Sequence, residues 1–153
     1  SFYKTASLIA NSCKSVVVLS QTAYTLTEAL YQYGRNLGLA FQVVDDILDF
    51  TGSEEVLGKP AGSDLLSGNL TAPVLYAMEV TPYLAKLIER EFAQSGDFEE
   101  AMALVKASRG IERSRALASQ HVKQAVQDLA ELPQSEPKRA LEALSDYVLS
   151  RLY

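Results

Sequence analysis

Three aspartates within five residues carry the side chains in this sequence that could do chemistry: Asp45, Asp46 and Asp49. On a helix, Asp45 and Asp49 project from one face about one turn apart, and Asp46 flanks the same face. The residues around them are Phe, Val, Ile and Leu, which leave little polar surface for a solvated acidic stripe. Carboxylate oxygens are the ligands that hard cations such as Mg²⁺ prefer. The cluster therefore predicts a divalent-cation site, with a solvated helix face as the alternative.

The same cluster is unfavourable for a helix without a ligand. Asp is a poor residue in a helix interior. Three anions near a helix C-terminus also oppose the helix dipole, by about 0.3–1 kcal/mol each when they are exposed. The nearest upstream base, Arg35, is too far along the chain to compensate within that turn. We expect a bound divalent cation to offset both costs.

The composition excludes several other kinds of site. With one His and one Cys, the chain can form neither an internal disulfide nor a zinc site of nitrogen and sulfur ligands. The net charge of −5 argues against nucleic acid as a partner, because neutralising phosphates requires a basic surface. The sequence has no apolar run long enough to span a membrane and no basic amphipathic helix, so we expect no stable membrane anchor.

Hydrophobic spacing predicts helix after helix and no strand. The first helix is marked by a stripe of small and apolar residues: Ala6, Ile9, Ala10, Cys13 and Val17. Three more apolar residues lie on its other sides: Leu8, Val16 and Leu19. We therefore expect this helix to be buried nearly all round. The sequence opens at Ser1 inside this helix, so we also expect upstream sequence to be missing.

A second helix is predicted from about Thr22 to Phe50, a stretch that no proline interrupts. At about 1.5 Å per residue it would be about 43 Å long, which is typical of a large helical bundle. Gly34 and Gly38 lie four positions apart on it and indicate close helix packing, with room for a ligand as the alternative. Glycine and proline are concentrated in residues 51–73, which predicts a long loop. Further helices are predicted after Pro82, over residues 98–107, between Gly110 and Pro133, and at the C-terminal end.

Residues 41–50, FQVVDDILDF, resemble the second aspartate-rich motif of the trans-isoprenyl diphosphate synthases. Upstream, FYKTASLI at residues 2–9 resembles the family's helix that contains Lys-Thr. Three later segments resemble the family's loop after that motif: LGKP at 57–60, GSDL at 62–65 and GNLTAP at 68–73. GIE at 110–112 resembles a further family signature. The resemblance covers essentially the whole chain and is nearest to the long-chain, solanesyl-type synthases of cyanobacteria and plastids.

The resemblance implies an all-α fold, a helical bundle of the isoprenoid synthase type, of which residues 1–153 form the C-terminal part. It implies a Mg²⁺-dependent prenyltransferase that condenses isopentenyl diphosphate with an allylic diphosphate to give an all-trans polyprenyl diphosphate. By this resemblance, Asp45 would ligate magnesium directly. Asp46 and Asp49 would act mostly through metal-bound water.

The resemblance also assigns the substrate-binding residues. Lys4 and Lys59 would contact the allylic diphosphate as point charges. Thr5 and Gln42 would lie beside the same diphosphate, and Phe41 would flank the isopentenyl pocket. By spacing alone, Lys4 is an ordinary solvated lysine, Thr5 bonds its own helix backbone and Phe41 belongs to the core. The amide of a buried Gln42 needs a partner in any case.

The first aspartate-rich motif of the family lies upstream, and DDILD at 45–49 is the only such cluster in this sequence. We therefore expect a fragment that does not turn over by itself. By resemblance it would act as a homo-oligomer or with a partner prenyl synthase subunit, in the cytoplasm or the plastid stroma. The alternative is a non-catalytic subunit that binds and modulates a full-length synthase. A terpene cyclase is disfavoured because its second metal motif contains Asn and Ser, and a helical scaffold without a small-molecule site is a fourth interpretation.

Overall fold

The computed structural model describes residues 2–21, 23–53, 55, 58 and 60–153. Every regular element in these residues is a helix, which confirms the all-α prediction. Backbone packing divides the chain into two compact units: Ser1–Val44 with Leu117–Tyr153, and Asp45–Ala116. None of the described helices combines the length and the hydropathy that crossing a bilayer requires.

The helix bounds agree closely with the prediction for the longer elements. A π-helix, Phe2–Ala6, runs directly into α1, Ser7–Leu19. The helices that follow are α2 (Tyr24–Thr51), α3 (Ser63–Leu66), α4 (Ala72–Val80), α5 (Tyr83–Glu89), α6 (Asp97–Ala107), α7 (Gly110–Asp128) and α8 (Glu136–Ser150). The 28 residues of α2 span about 42 Å, and both ends lie within two residues of the predicted ends.

The π-helix and α1 pack against α2 through small residues. A Cβ added to Gly38 would lie 2.6 Å from the Cα of Ala6, and one added to Gly34 would lie 2.9 Å from the Cα of Ala10. A side chain at either position would force the backbones apart, so glycine is what allows this approach. The close-packing interpretation of the two glycines is therefore confirmed.

The prediction that α1 is buried nearly all round is wrong. Ala10 is fully buried where it faces α2. Leu8, Val16 and Leu19, which lie off the small-residue stripe, are 74%, 64% and 82% exposed. A helix that is apolar on all sides is buried only if neighbours cover all sides. In the part of the chain that the structure describes, burial on α1 is confined to the stripe.

Long-range hydrogen bonds join α2 to α7 and α8 within the first unit. The hydroxyl of Tyr33 donates to the carbonyl oxygen of Leu141 over 3.0 Å. The Asn36 amide donates to Asp128 Oδ2 over 2.9 Å, and Asn36 Oδ1 lies 3.0 Å from His121 Nδ1. Tyr33 and Asn36 are both buried, so these bonds satisfy polar groups that water does not reach.

The second unit has an apolar core of its own. Its buried members come from α2 to α6: Phe50, Leu65, Val74, Ala77, Leu84, Leu87, Ala101 and Val105. Leu65 lies in α3, so the long loop predicted over residues 51–73 contains a short helix that the prediction missed. Burying Leu65 contributes about 1.5–3 kcal/mol. That contribution holds a four-residue helix which would not form by itself.

Candidate functional site

The three predicted metal-binding aspartates lie in the last turns of α2, in the second unit. Asp46 is 4% exposed and Asp49 is 1% exposed, whereas Asp45 is partly exposed. Buried carboxylates need partners that compensate for lost hydration. The alternative of a solvated acidic helix face is therefore wrong for Asp46 and Asp49.

Asp49 accepts hydrogen bonds from three consecutive residues beyond the end of α2. Its Oδ1 accepts from the Ser63 hydroxyl over 3.0 Å, and its Oδ2 accepts from the backbone N–H of Asp64 over 3.2 Å. Its main-chain oxygen accepts from the Gly62 N–H over 2.8 Å. GSDL at residues 62–65 resembles a family segment, but nothing in its sequence indicates that Asp49 is its partner.

The donor set suits a magnesium ion that is shared with a phosphate ligand. Among the residues that the structure describes, no group of three or more His, Cys, Asp or Glu side chains is arranged as a metal site. Protein-bound Mg²⁺ usually keeps several waters and takes one or two carboxylates together with substrate phosphates. Asp45 and Asp46 supply carboxylates of that number and type.

Thr5 and Gln42 form a hydrogen-bonded pair in the first unit. The Thr5 hydroxyl donates to Gln42 Oε1 over 2.9 Å. Gln42 is buried, and Thr5 lies in the π-helix that precedes α1. The prediction that Gln42 needs a partner is confirmed, and the alternative that Thr5 bonds its own backbone is wrong.

The two neighbours of this pair in the sequence have different surroundings. Lys4 is exposed, which suits both a ligand contact and an ordinary solvated lysine. Phe41 is partly buried, and the Arg151 guanidinium carbon lies 4.7 Å from its ring centroid, within the range of a cation–π contact. Phe41 is therefore in contact with a cation as well as with its own helix. Nothing in the spacing of the sequence indicated Arg151.

The remaining predicted residue, Lys59, lies outside the described residues. The structure brings Thr5 and Gln42 together in one unit and places the three aspartates along the end of α2 in the other. The assignment of these residues to metal and substrate stays a prediction.

Comparison with known proteins gives consistent results. A sequence model of the family described as polyprenyl synthetase matches residues 1–105. A prenyl transferase of Synechocystis sp. is 60% identical over the whole chain, which covers 47% of that relative. Solanesyl diphosphate synthase 1, chloroplastic, of Arabidopsis thaliana is 51% identical over 99% of this chain and 37% of its own length.

A solved structure agrees with the sequence relatives. The crystal structure of a polyprenyl synthase from Caulobacter crescentus, complexed with calcium and isoprenyl diphosphate, superimposes with a TM-score of 0.85 at 36% identity. The match covers 98% of this chain and 47% of that one. The chain therefore spans about half, or less, of the length of the relatives that it matches.

Proposed function

Because this chain belongs to the polyprenyl synthetase family, we propose that it is the second half of an all-trans polyprenyl diphosphate synthase. What carries the proposal is the pair of carboxylates at Asp45 and Asp46, one partly exposed and one buried in an apolar helix face. Carboxylates in this number are what protein-bound Mg²⁺ usually takes together with substrate phosphates.

The proposed reaction begins with breakage of the carbon–oxygen bond of an allylic diphosphate. The electron pair leaves with the diphosphate, and an allylic cation remains. The double bond of isopentenyl diphosphate attacks this cation, a carbon–carbon bond forms, and loss of a proton restores a double bond. The barrier is charge separation, so catalysis consists mainly of stabilising the departing diphosphate. Bound Mg²⁺ would supply Lewis-acid stabilisation of that charge.

The residues of α2 and the π-helix have separate roles in this proposal. Asp45 would hold Mg²⁺ directly, and Asp46 would act through metal-bound water. Lys4 contacts the allylic diphosphate as a point charge. Thr5 follows Lys4 in the chain, and its bond to Gln42 fixes two polar groups that orient the same diphosphate.

Two further residues complete the proposed substrate contacts. Lys59 adds a second cation for the allylic diphosphate. Phe41 flanks the isopentenyl pocket, where its ring is held by the Arg151 guanidinium. The complex of the Caulobacter crescentus polyprenyl synthase with calcium and isoprenyl diphosphate supports a divalent cation and a diphosphate as the pair of ligands.

We extend the proposal to the oligomeric state and the compartment of the whole protein. We expect it to work as a homo-oligomer or with a partner prenyl synthase subunit, in the cytoplasm or the plastid stroma. The names of the relatives, one of them chloroplastic, support this choice of compartments. A purely modulating subunit is less well supported, because it has no use for metal-binding carboxylates at Asp45 and Asp46.

The isolated chain provides the test. One aspartate cluster leaves much of the diphosphate charge uncompensated, so we expect Mg²⁺-dependent binding of an allylic diphosphate without turnover. The measurement is calorimetric titration with and without Mg²⁺, together with incubation with labelled isopentenyl diphosphate. Asp45→Ala should abolish the binding, and Asp146→Ala, on an exposed part of α8, should leave it unchanged. Magnesium-dependent binding that survives Asp45→Ala would contradict the proposal.

A further inference from the structure

The carboxylate of Asp49 differs from those of its neighbours in what surrounds it. It is nearly fully buried, and each of its two oxygens accepts a hydrogen bond from the segment that begins at Gly62. The main-chain oxygen of Asp49 accepts a third bond from the same segment. One residue at the end of α2 therefore holds three consecutive residues at the start of α3.

The segment needs an acceptor from outside itself. The first N–H groups of a helix have no partner within that helix, and a side chain at the preceding residue commonly accepts from them. The residue before α3 is Gly62, which has no side chain to do so. The Asp49 carboxylate, accepting from the Asp64 N–H, takes the place of the missing capping group.

The backbone at Gly62 disfavours a residue that would cap α3 locally. Its φ is 75°, in the left-handed region. A Cβ there would overlap with Met102 Sδ and would lie 3.0 Å from a ring carbon of Phe98. The left-handed φ favours glycine at this position, and glycine leaves the cap to a remote residue. The need for an acceptor at the start of α3 thus explains the acidic side chain at position 49.

We propose that Asp49 is a positioning residue rather than a magnesium ligand. Its carboxylate ties the last turn of α2 to α3, whose Leu65 is fully buried in the core of the second unit. The turn held in this way follows directly on Asp45 and Asp46. Asp49 supports diphosphate binding by keeping that turn in place, a consequence that rests on the proposed function.

An amide at position 49 separates the two roles. In Asp49→Asn the amide oxygen still accepts from the Asp64 N–H, and the amide nitrogen donates to the Ser63 hydroxyl oxygen. The anchor therefore survives without the charge, whereas a metal ligand loses its anionic oxygen. Asp49→Ala removes the anchor altogether. Asp45→Asn is the matched control for loss of a metal ligand.

Two measurements on the chain distinguish a positioning residue at position 49 from a magnesium ligand. The first is amide hydrogen exchange at Asp64, which reports local opening of the anchor. We expect it to be about tenfold faster in Asp49→Ala and within about twofold of wild type in Asp49→Asn. Ser63→Ala, which removes one of the three bonds, should fall between them. Ser63→Ala therefore still tests the anchor if Asp49→Ala does not fold.

The second measurement is the Mg²⁺ concentration that half-saturates pyrophosphate binding. Asp45→Asn should raise it at least about tenfold, and Asp49→Asn should leave it within about twofold. Ser63→Ala should weaken pyrophosphate binding at saturating Mg²⁺ without changing the Mg²⁺ requirement, which a merely local structural role would not do.

The inference is overturned if Asp49→Asn raises the Mg²⁺ requirement as much as Asp45→Asn does. It is also overturned if Asp49→Ala leaves Asp64 exchange unchanged. Should the wild-type chain bind no magnesium pyrophosphate, the proposed function fails, and the exchange of Asp64 alone decides whether the anchor exists.

Discussion

The hydroxyl of Thr5 donates to the side-chain oxygen of Gln42 over 2.9 Å, across 37 positions of the chain. The bond joins the π-helix to a buried position near the middle of α2. It therefore links two residues that the family resemblance assigns to the same substrate, and it fixes the orientation of both polar groups.

Replacement of Thr5 by valine removes this donor while keeping the shape of the side chain. We expect the free energy of unfolding to fall by about 1 kcal/mol or more, because the buried Gln42 oxygen loses a partner. Urea denaturation checks the prediction. Thr5→Ser, which keeps the hydroxyl, is the control and should lose less than half as much.

Replacement of Gly38 by alanine should destabilise the first unit. Alanine is the better helix former by about 1 kcal/mol, but its Cβ would lie 2.6 Å from the Cα of Ala6. Overpacking of this kind costs about 1–3 kcal/mol. Thermal unfolding should show a net loss for Gly38→Ala. Lys123→Ala, on an exposed part of α7, is the control and should change stability by no more than about 0.5 kcal/mol.

Replacement of Gly62 by alanine combines two costs that a second variant separates. The left-handed φ costs a residue with a Cβ about 1–2 kcal/mol, and contact with the Met102 sulfur adds to that cost. In a Met102→Ala background, Gly62→Ala should therefore cost less than it does in the wild type. Equal costs in the two backgrounds would show that Met102 is not what restricts this position.

His121 should make stability depend on pH near neutrality. Burial, with the Arg35 charge nearby, lowers the pKa of His121 below its usual value. The ring faces Asn36, whose amide donates to Asp128. As pH falls through about 6.5, the unfolded chain binds the proton before the folded chain does, so stability present above that pH is lost. Denaturation at pH 7.5 and pH 5.5 should show a larger difference for wild type than for His121→Gln.

An equal pH difference in the wild type and in His121→Gln would assign the effect to other groups. Asp97 and Glu112 do not contribute to the change in stability between pH 7.5 and pH 5.5. Arg90 lowers the pKa of Asp97, and Arg109 lowers that of Glu112, so their contributions are lost only under more acidic conditions.

The sequence predicted the long helices well because their signals are local. α2 is an uninterrupted run without proline, and the helix predicted over residues 98–107 has ends within one residue of those of α6. The family resemblance, nearest to solanesyl-type synthases, is confirmed by the relatives. Periodicity failed where burial depends on distant neighbours. It predicted full burial for α1, and it missed α3, whose Leu65 is held by a core assembled from other helices.

The candidate site was predicted by residue type and not by contact. Spacing identified Asp45, Asp46 and Asp49 as a cluster, yet the partner of Asp49 at Ser63 depends on how the chain returns after α2. The contact between Phe41 and Arg151 is likewise made by residues far apart in the sequence. Such pairs are set by tertiary packing, which helical periodicity does not predict.

The most direct test of the proposed activity is a chimera in which this chain replaces the corresponding part of the Synechocystis prenyl transferase, to which it is 60% identical. The measurement is Mg²⁺-dependent incorporation of labelled isopentenyl diphosphate into extended allylic product. We predict an active chimera whose rate falls about 100-fold or more with Asp45→Ala and is unchanged with Asp146→Ala. Equal rates for the chimera and its Asp45→Ala variant, or a folded chimera that forms no product, would contradict the account.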